Sequence, residues 1–99
     1  MSCYDQIHIM EQIKEERRRQ DEQWGETDHH PLLWFSIIGE EYGKMLRAFN
    51  KYSMEMDQDG VDSASHELAA MKERAISTAA SCVAMLECLE RVGRKGMVP

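Results

Sequence analysis

The sequence predicts an all-α domain: a small antiparallel bundle of three main helices, completed by homo-oligomerisation. Three observations lead there. Apolar residues recur at three- and four-residue spacing in three separate segments. Polar, turn-forming stretches separate them, and no alternating strand pattern occurs. With 99 residues forming a single domain, the two longer helices carry more apolar surface than one copy can cover, so a dimer or larger assembly is the natural completion.

The first helix is predicted over residues 5–23. Ile7, Met10, Ile13 and Arg17 share one face at i, i+3 spacing, the long Arg stem extending it. Ser2 or Asp5 fits its start. Trp24-Gly25 closes it: glycine suits a helix C-terminus, and the indole can fold back on the core. A polar loop from Glu26 leads to Pro31, well placed in the first turn of the next helix.

The second helix is predicted over 31–54. Leu33, Ile37, Ile38, Tyr42, Met45, Leu46 and Phe49 recur at helical spacing, and Trp34 and Phe35 widen the apolar surface beyond one face. That surplus predicts burial on two sides, hence self-association. Gly39 and Gly43 cost about 1 kcal/mol each relative to Ala, and such a pair lets a helix or a ligand come close. Met54 to Ser65 reads as a polar break with Asp57, Asp59 and Gly60 as turn formers. The third helix, 65–92, carries Leu68, Ala75, Ala79, Cys82, Leu86 and Leu89 as a three-and-four seam, with Ile76, Ala80 and Val83 beside it. Gly93 ends it, and residues 94–99 read as a mobile tail.

A formal net charge of −6 argues against general binding to duplex nucleic acid, while leaving room for a local basic pocket. No stretch approaches the roughly 20 apolar residues of a membrane span, and no secretion signal is visible. Cys3, Cys82 and Cys88 have no metal-like spacing and read as reduced thiols, so a cytoplasmic location is expected.

Glu40-Glu41-Tyr42-Gly43-Lys44 is the stretch that bears on chemistry. Two adjacent carboxylates, with a third one turn later, can hold a divalent cation. The third place here is Lys44, whose ammonium opposes Mg²⁺ and attracts an anion. The plainer reading pairs Lys44 with Glu40 at i, i+4 on a solvated face. Arg17, Arg18 and Arg19 form a charge run, a pattern that more often marks a solvated face, although one member can reach a phosphate. Trp24, Trp34 and Tyr42 can stack a base, although packing competes for Trp34. His29-His30 beside Asp28 are poor joint ligands for one metal ion, being adjacent in a loop.

Glu16-Arg17-Arg18-Arg19-Gln20-Asp21 followed by Trp24-Gly25, then Trp34 with Ile38-Gly39-Glu40-Glu41-Tyr42-Gly43, then Ala79-Ala80-Ser81-Cys82-Val83-Ala84-Met85-Leu86-Glu87 form an ordered set across residues 11–92. The set resembles short MazG-like proteins of phages and prophages, within the all-α nucleoside triphosphate pyrophosphohydrolase superfamily. The resemblance implies Mg²⁺-dependent cleavage of nucleotides to monophosphate and pyrophosphate, with carboxylates supplied as Glu-Glu-x-x-Glu and Glu-x-x-Asp on successive helices. Glu40 and Glu41 match the first pair, but Lys44 replaces the third Glu, and Arg74 and Ser77 fall on the later Glu and Asp positions. A one-residue shift offers Glu73 but pairs it with Ile76, and Glu67 with Ala70 fails likewise. Glu41 alone is left as a metal ligand.

The expectation is therefore a non-catalytic nucleotide-binding protein. Lys44 and Arg74 replace the cation and bind phosphate directly, with Glu40, Glu41, Ser77, Arg17 and Trp24 around them. A nucleotide, or a cyclic nucleotide signal of host defence sequestered by a phage protein, is the expected ligand. The alternatives are a Mg²⁺-dependent pyrophosphohydrolase and a helical protein-interaction module without a small ligand.

Overall fold

Three α-helices account for nearly all of the described residues. The computed structural model describes residues 3–25, 28–58 and 61–94, except for the side chains of 55–58 and 61–66. Helix α1 spans Cys3–Trp24, α2 Pro31–Gln58 and α3 Val61–Arg94, and no strand occurs among the described residues. The two longer helices overrun the expected break at 54–65. Residues 53–58 contain neither Gly nor Pro, so polarity alone does not end α2. Arg94, expected to open a tail, still belongs to α3. Ser2, Asp59, Gly60 and the tail from Lys95 lie outside the described residues.

The helix ends have local causes. Gly25 adopts φ +74°, a left-handed conformation that disfavours side-chain-bearing residues, and its N–H donates to the Asp21 carbonyl at 2.8 Å. His30 starts α2. Its carbonyl accepts from the Leu33 and Trp34 amides at 2.9 and 3.2 Å, and its Nδ1 accepts from the Leu32 amide at 3.1 Å. Histidine thus serves as the cap ahead of Pro31, where Ser, Thr, Asp or Asn is the commoner choice.

Helix α3 is the spine. Helix α2 packs antiparallel along it, with Trp34 against Cys88 and Val92 at one end and Lys51 paired to Glu67 at the other. Helix α1 packs on α3 but not on α2. The core sits where the start of α2 meets the end of α3: Trp34, Cys88 and Val92 are buried, with Ile37, Ala84 and Met85 packed against them. Ala80 is also buried.

Helix α1 contributes no buried residue. Ile7 and Met10 were expected on its inner face but are more than half exposed, while Ile9, Gln12 and Ile13 are half-buried. The inward stripe runs through Ile9, Ile13 and Arg17 at four-residue spacing, so the expected face is met at Ile13 and Arg17 and missed at Ile7 and Met10. The apolar surplus of α2 also divides. Ile37, Ile38 and Met45 turn partly inward, whereas Leu32, Phe35, Tyr42, Leu46 and Phe49 line an exposed stripe. Gly39 lies in this stripe with nothing within 4 Å of where a Cβ would sit, and the same space is open at Gly43. The close approach expected at these glycines is not made within one copy. On α3, the seam through Leu68, Ala75, Leu86 and Leu89 is likewise exposed.

Candidate functional site

Because α1 and α2 both lean on α3 without touching, a cleft of about 940 Å³ opens between them. Its α1 wall is Arg17, Gln20, Asp21 and Trp24; its α2 wall is Trp34, Ile37, Glu40, Glu41 and Lys44; α3 closes the back with Ser81, Ala84, Glu87 and Arg91 among others. Trp24 does not fold back on the core. It is 70% exposed, at the open edge of the cleft. Trp34 is only 4% exposed, and its buried indole N–H has no hydrogen-bond partner among the described residues.

Residues 28 and 29, just before α2, are held against α3 and Trp34. Arg91 donates to Asp28 at 2.8 Å, the Cys88 thiol approaches the His29 carbonyl at 3.9 Å, and the His29 ring meets Trp34 edge-on at a 4.9 Å centroid separation. These contacts engage Asp28 and His29 in packing the loop.

Arg17 crosses from α1 to α3. Its Nη2 donates to Glu87 at 2.6 Å and to Asp21 at 2.8 Å. Burial works against its charge, but the hydrogen bonds to Glu87 and Asp21 outweigh it and hold the guanidinium above its ordinary range. Arg18 is engaged by Glu15 and Glu22 of its own helix. Arg19 is bound by Glu16, and its charge is further favoured by Glu41 and Glu73, although burial opposes it. One guanidinium is therefore stabilised by carboxylates from all three helices.

Lys44 stands at the junction of two cavities. On the cleft side its ammonium donates to Glu41 Oε1 at 3.4 Å and lies 3.9 Å from Glu40 Oε1. On its other side it lines a shallow groove of about 230 Å³ with Arg47, Ala48, Lys51, Glu67, Ala70 and Arg74. Lys44 and Arg74 thus share one groove, in which four cationic side chains face a single carboxylate. That carboxylate, Glu67, is buried and paired with Lys51 at 3.4 Å. The cleft is different: its arginines and Lys44 are matched by Asp21, Glu40, Glu41, Glu87 and Glu90. The groove is therefore locally positive, even with Lys51 on Glu67 and Lys44 on Glu41, whereas the charges of the cleft nearly balance.

Arg17, Trp24, Glu40 and Glu41 line the cleft, and Arg74 lines the groove alone. Ser77 lines neither. Its hydroxyl donates to Glu16 Oε2 at 3.5 Å, tying α3 to α1. Among the described residues, no three His, Cys, Asp or Glu side chains meet in a metal-binding arrangement. With the ammonium of Lys44 on the Glu40–Glu41 pair, the donors present do not fit Mg²⁺. The sequence reading missed Arg47 and Lys51. Their spacing from Lys44, three and seven residues, puts all three cations on one helix face and was there to be read. No helix among the described residues is long and apolar enough to cross a membrane.

Comparison of the chain with known protein families, with curated proteins and with solved structures finds no match.

Proposed function

We propose that the chain is a non-catalytic nucleotide-binding protein of MazG-like fold, holding phosphate in the basic groove and the base in the adjoining cleft. The observation that carries this reading is the position of Lys44, which lines both cavities. A ligand with its phosphate over Lys44 and Arg74 can extend its base toward Trp24, whose exposed indole offers a stacking surface. Arg binds phosphate bidentately and Lys as a point charge, so the pair supplies attraction without a metal-bound water. On this reading the protein sequesters a nucleotide or cyclic nucleotide as a homo-oligomer, consistent with a phage protein acting against a host signal.

The test is calorimetric titration with a panel of mono-, tri- and cyclic nucleotides, with and without Mg²⁺, followed by mass spectrometry of the recovered ligand. Binding with the ligand returned intact is expected. Arg74→Glu should weaken binding at least about tenfold, with the helical circular dichroism unchanged, because an exposed attractive charge becomes repulsive. Equal affinity in the parent and in Arg74→Glu refutes the reading. Mg²⁺-dependent pyrophosphate release identifies the hydrolase alternative instead.

A further inference from the structure

We infer that Glu67 is the specificity-determining residue of the basic groove, and that it selects a phosphate able to carry a proton. A phosphomonoester end or inorganic phosphate is taken; a phosphodiester or sulfate is disfavoured. The inference rests on the phosphate site proposed above and chooses among its ligands.

Placement gives the first argument. A groove that only attracted anions would be lined by cations, yet here a carboxylate is fixed among Lys44, Arg47, Lys51 and Arg74. Glu67 is only 7% exposed, and a charge so deeply buried needs a partner. That partner is Lys51, 3.4 Å from Oε1. The Lys51 side chain is itself 66% exposed, so solvent screens the pair and the long stem can turn toward an incoming anion. Glu67 is held by its burial and stays. Any phosphate drawn over Lys44 and Arg74 therefore shares the groove with this carboxylate.

Hydrogen-bond chemistry gives the second. An ionised carboxylate accepts hydrogen bonds and donates none. A bare oxyanion beside it adds repulsion and leaves two acceptors facing each other. One proton between them removes both problems, because O–H···O⁻ is a charge-assisted bond and among the strong ones. A phosphomonoester has its second pKa at about 6, so it holds or regains that proton near neutral pH at small cost. Sulfate and phosphodiesters carry no proton there. The cations thus attract every oxyanion, and Glu67 sorts them. Among nucleotides, a chain ending in a phosphomonoester is favoured over a cyclic one, whose phosphates are all diesters.

Charge alone gives the opposite order, which makes the inference testable. The other charged groups of the groove are lysines and arginines of α2 and α3, which stay charged through neutral pH; α1 contributes none among the described residues. Four cations against one carboxylate would then hold sulfate, the more highly charged ion, more tightly than phosphate.

The experiment is a nuclear magnetic resonance titration with inorganic phosphate and with sulfate, following the amides of Lys44, Lys51, Glu67 and Arg74 at matched ionic strength. Near about pH 7 the parent should bind phosphate at least about tenfold more tightly than sulfate. Glu67→Gln keeps the size of the side chain but donates to either ion, so the preference should vanish or invert. A second measurement needs no variant. Calorimetry of the parent with a nucleoside 5′-monophosphate and with its methyl phosphodiester should show the monoester binding more tightly as pH falls from about 8 to about 6, and more tightly than the diester. A parent that takes sulfate or the diester as well as the monoprotonated ions overturns the inference and leaves the phosphate site standing. So does a phosphate preference unchanged in Glu67→Gln. No binding of either ion, in parent and variant alike, overturns the phosphate site along with it.

Discussion

Arg17 is the side chain that fastens α1 to the rest of the protein. It joins Glu87 of α3 to Asp21 of its own helix, and burial makes those partners matter more. Glu87 is itself half exposed, so solvent screens the pair and its contribution is about 1 kcal/mol. Arg17→Met should lower stability by about that amount in urea titrations, and should raise amide exchange in α1 more than in α2 or α3. Glu16 adds a pH dependence. Its hydrogen bond from Arg19 holds the carboxyl below its ordinary value of 4.5, with burial opposing and Ser77 assisting. A lowered carboxyl pKa stabilises the fold fully above pH 4.5 and progressively less as pH falls through the lowered value. Acid unfolding should therefore begin below that point, and Glu16→Gln should flatten this part of the stability–pH curve. Equal acid sensitivity in the variant would show that Glu16 plays no part.

Helix ends carry their own consequences. Gly25 at φ +74° turns the chain out of α1, and space for a Cβ is open, so only backbone conformation resists substitution. Gly25→Ala should cost about 1 kcal/mol, seen as a lowered urea midpoint with an unchanged slope. The three helices were legible in the sequence because apolar residues repeat at 3.6-residue spacing whatever the tertiary structure. Their inward faces were less so. Ile7 and Met10 look as suitable for burial as Ile9 and Ile13 until α3 is in place. The Glu40–Lys44 pairing could be read along one helix, since it depends on spacing alone. The favourable charges of Glu41 and Glu73 near Arg19 could not, because they come from the other two helices. Trp24 misled for a related reason: an indole next to a helix-ending glycine suits the core or a cleft edge equally well.

The molecule has two unlike sides. One bears α1, the cleft and the cationic groove; the other is apolar and carries no charge along its stripes. The −6 net charge hides this division, because the positive groove is local. The phosphate site proposed in the groove is open to solvent, so its attraction should weaken as salt shortens the Debye length from about 10 Å at 0.1 M to about 3 Å at 1 M. Phosphate-ligand affinity should therefore fall at least several-fold over that range in titrations. An affinity indifferent to salt would place the ligand elsewhere.

The two tryptophans lie at opposite extremes of exposure, 4% for Trp34 and 70% for Trp24. That difference makes the protein its own optical reporter. Acrylamide should quench the Trp24 emission first, giving a downward-curving Stern–Volmer plot, and Trp24→Phe should leave a single blue-shifted, poorly quenched emitter. Since Trp24 stands at the open edge of the cleft and Trp34 is buried in its α2 wall, a guest shielding the edge should straighten the parent's plot. The same fluorescence trace then distinguishes an occupied cleft from an empty one without a label.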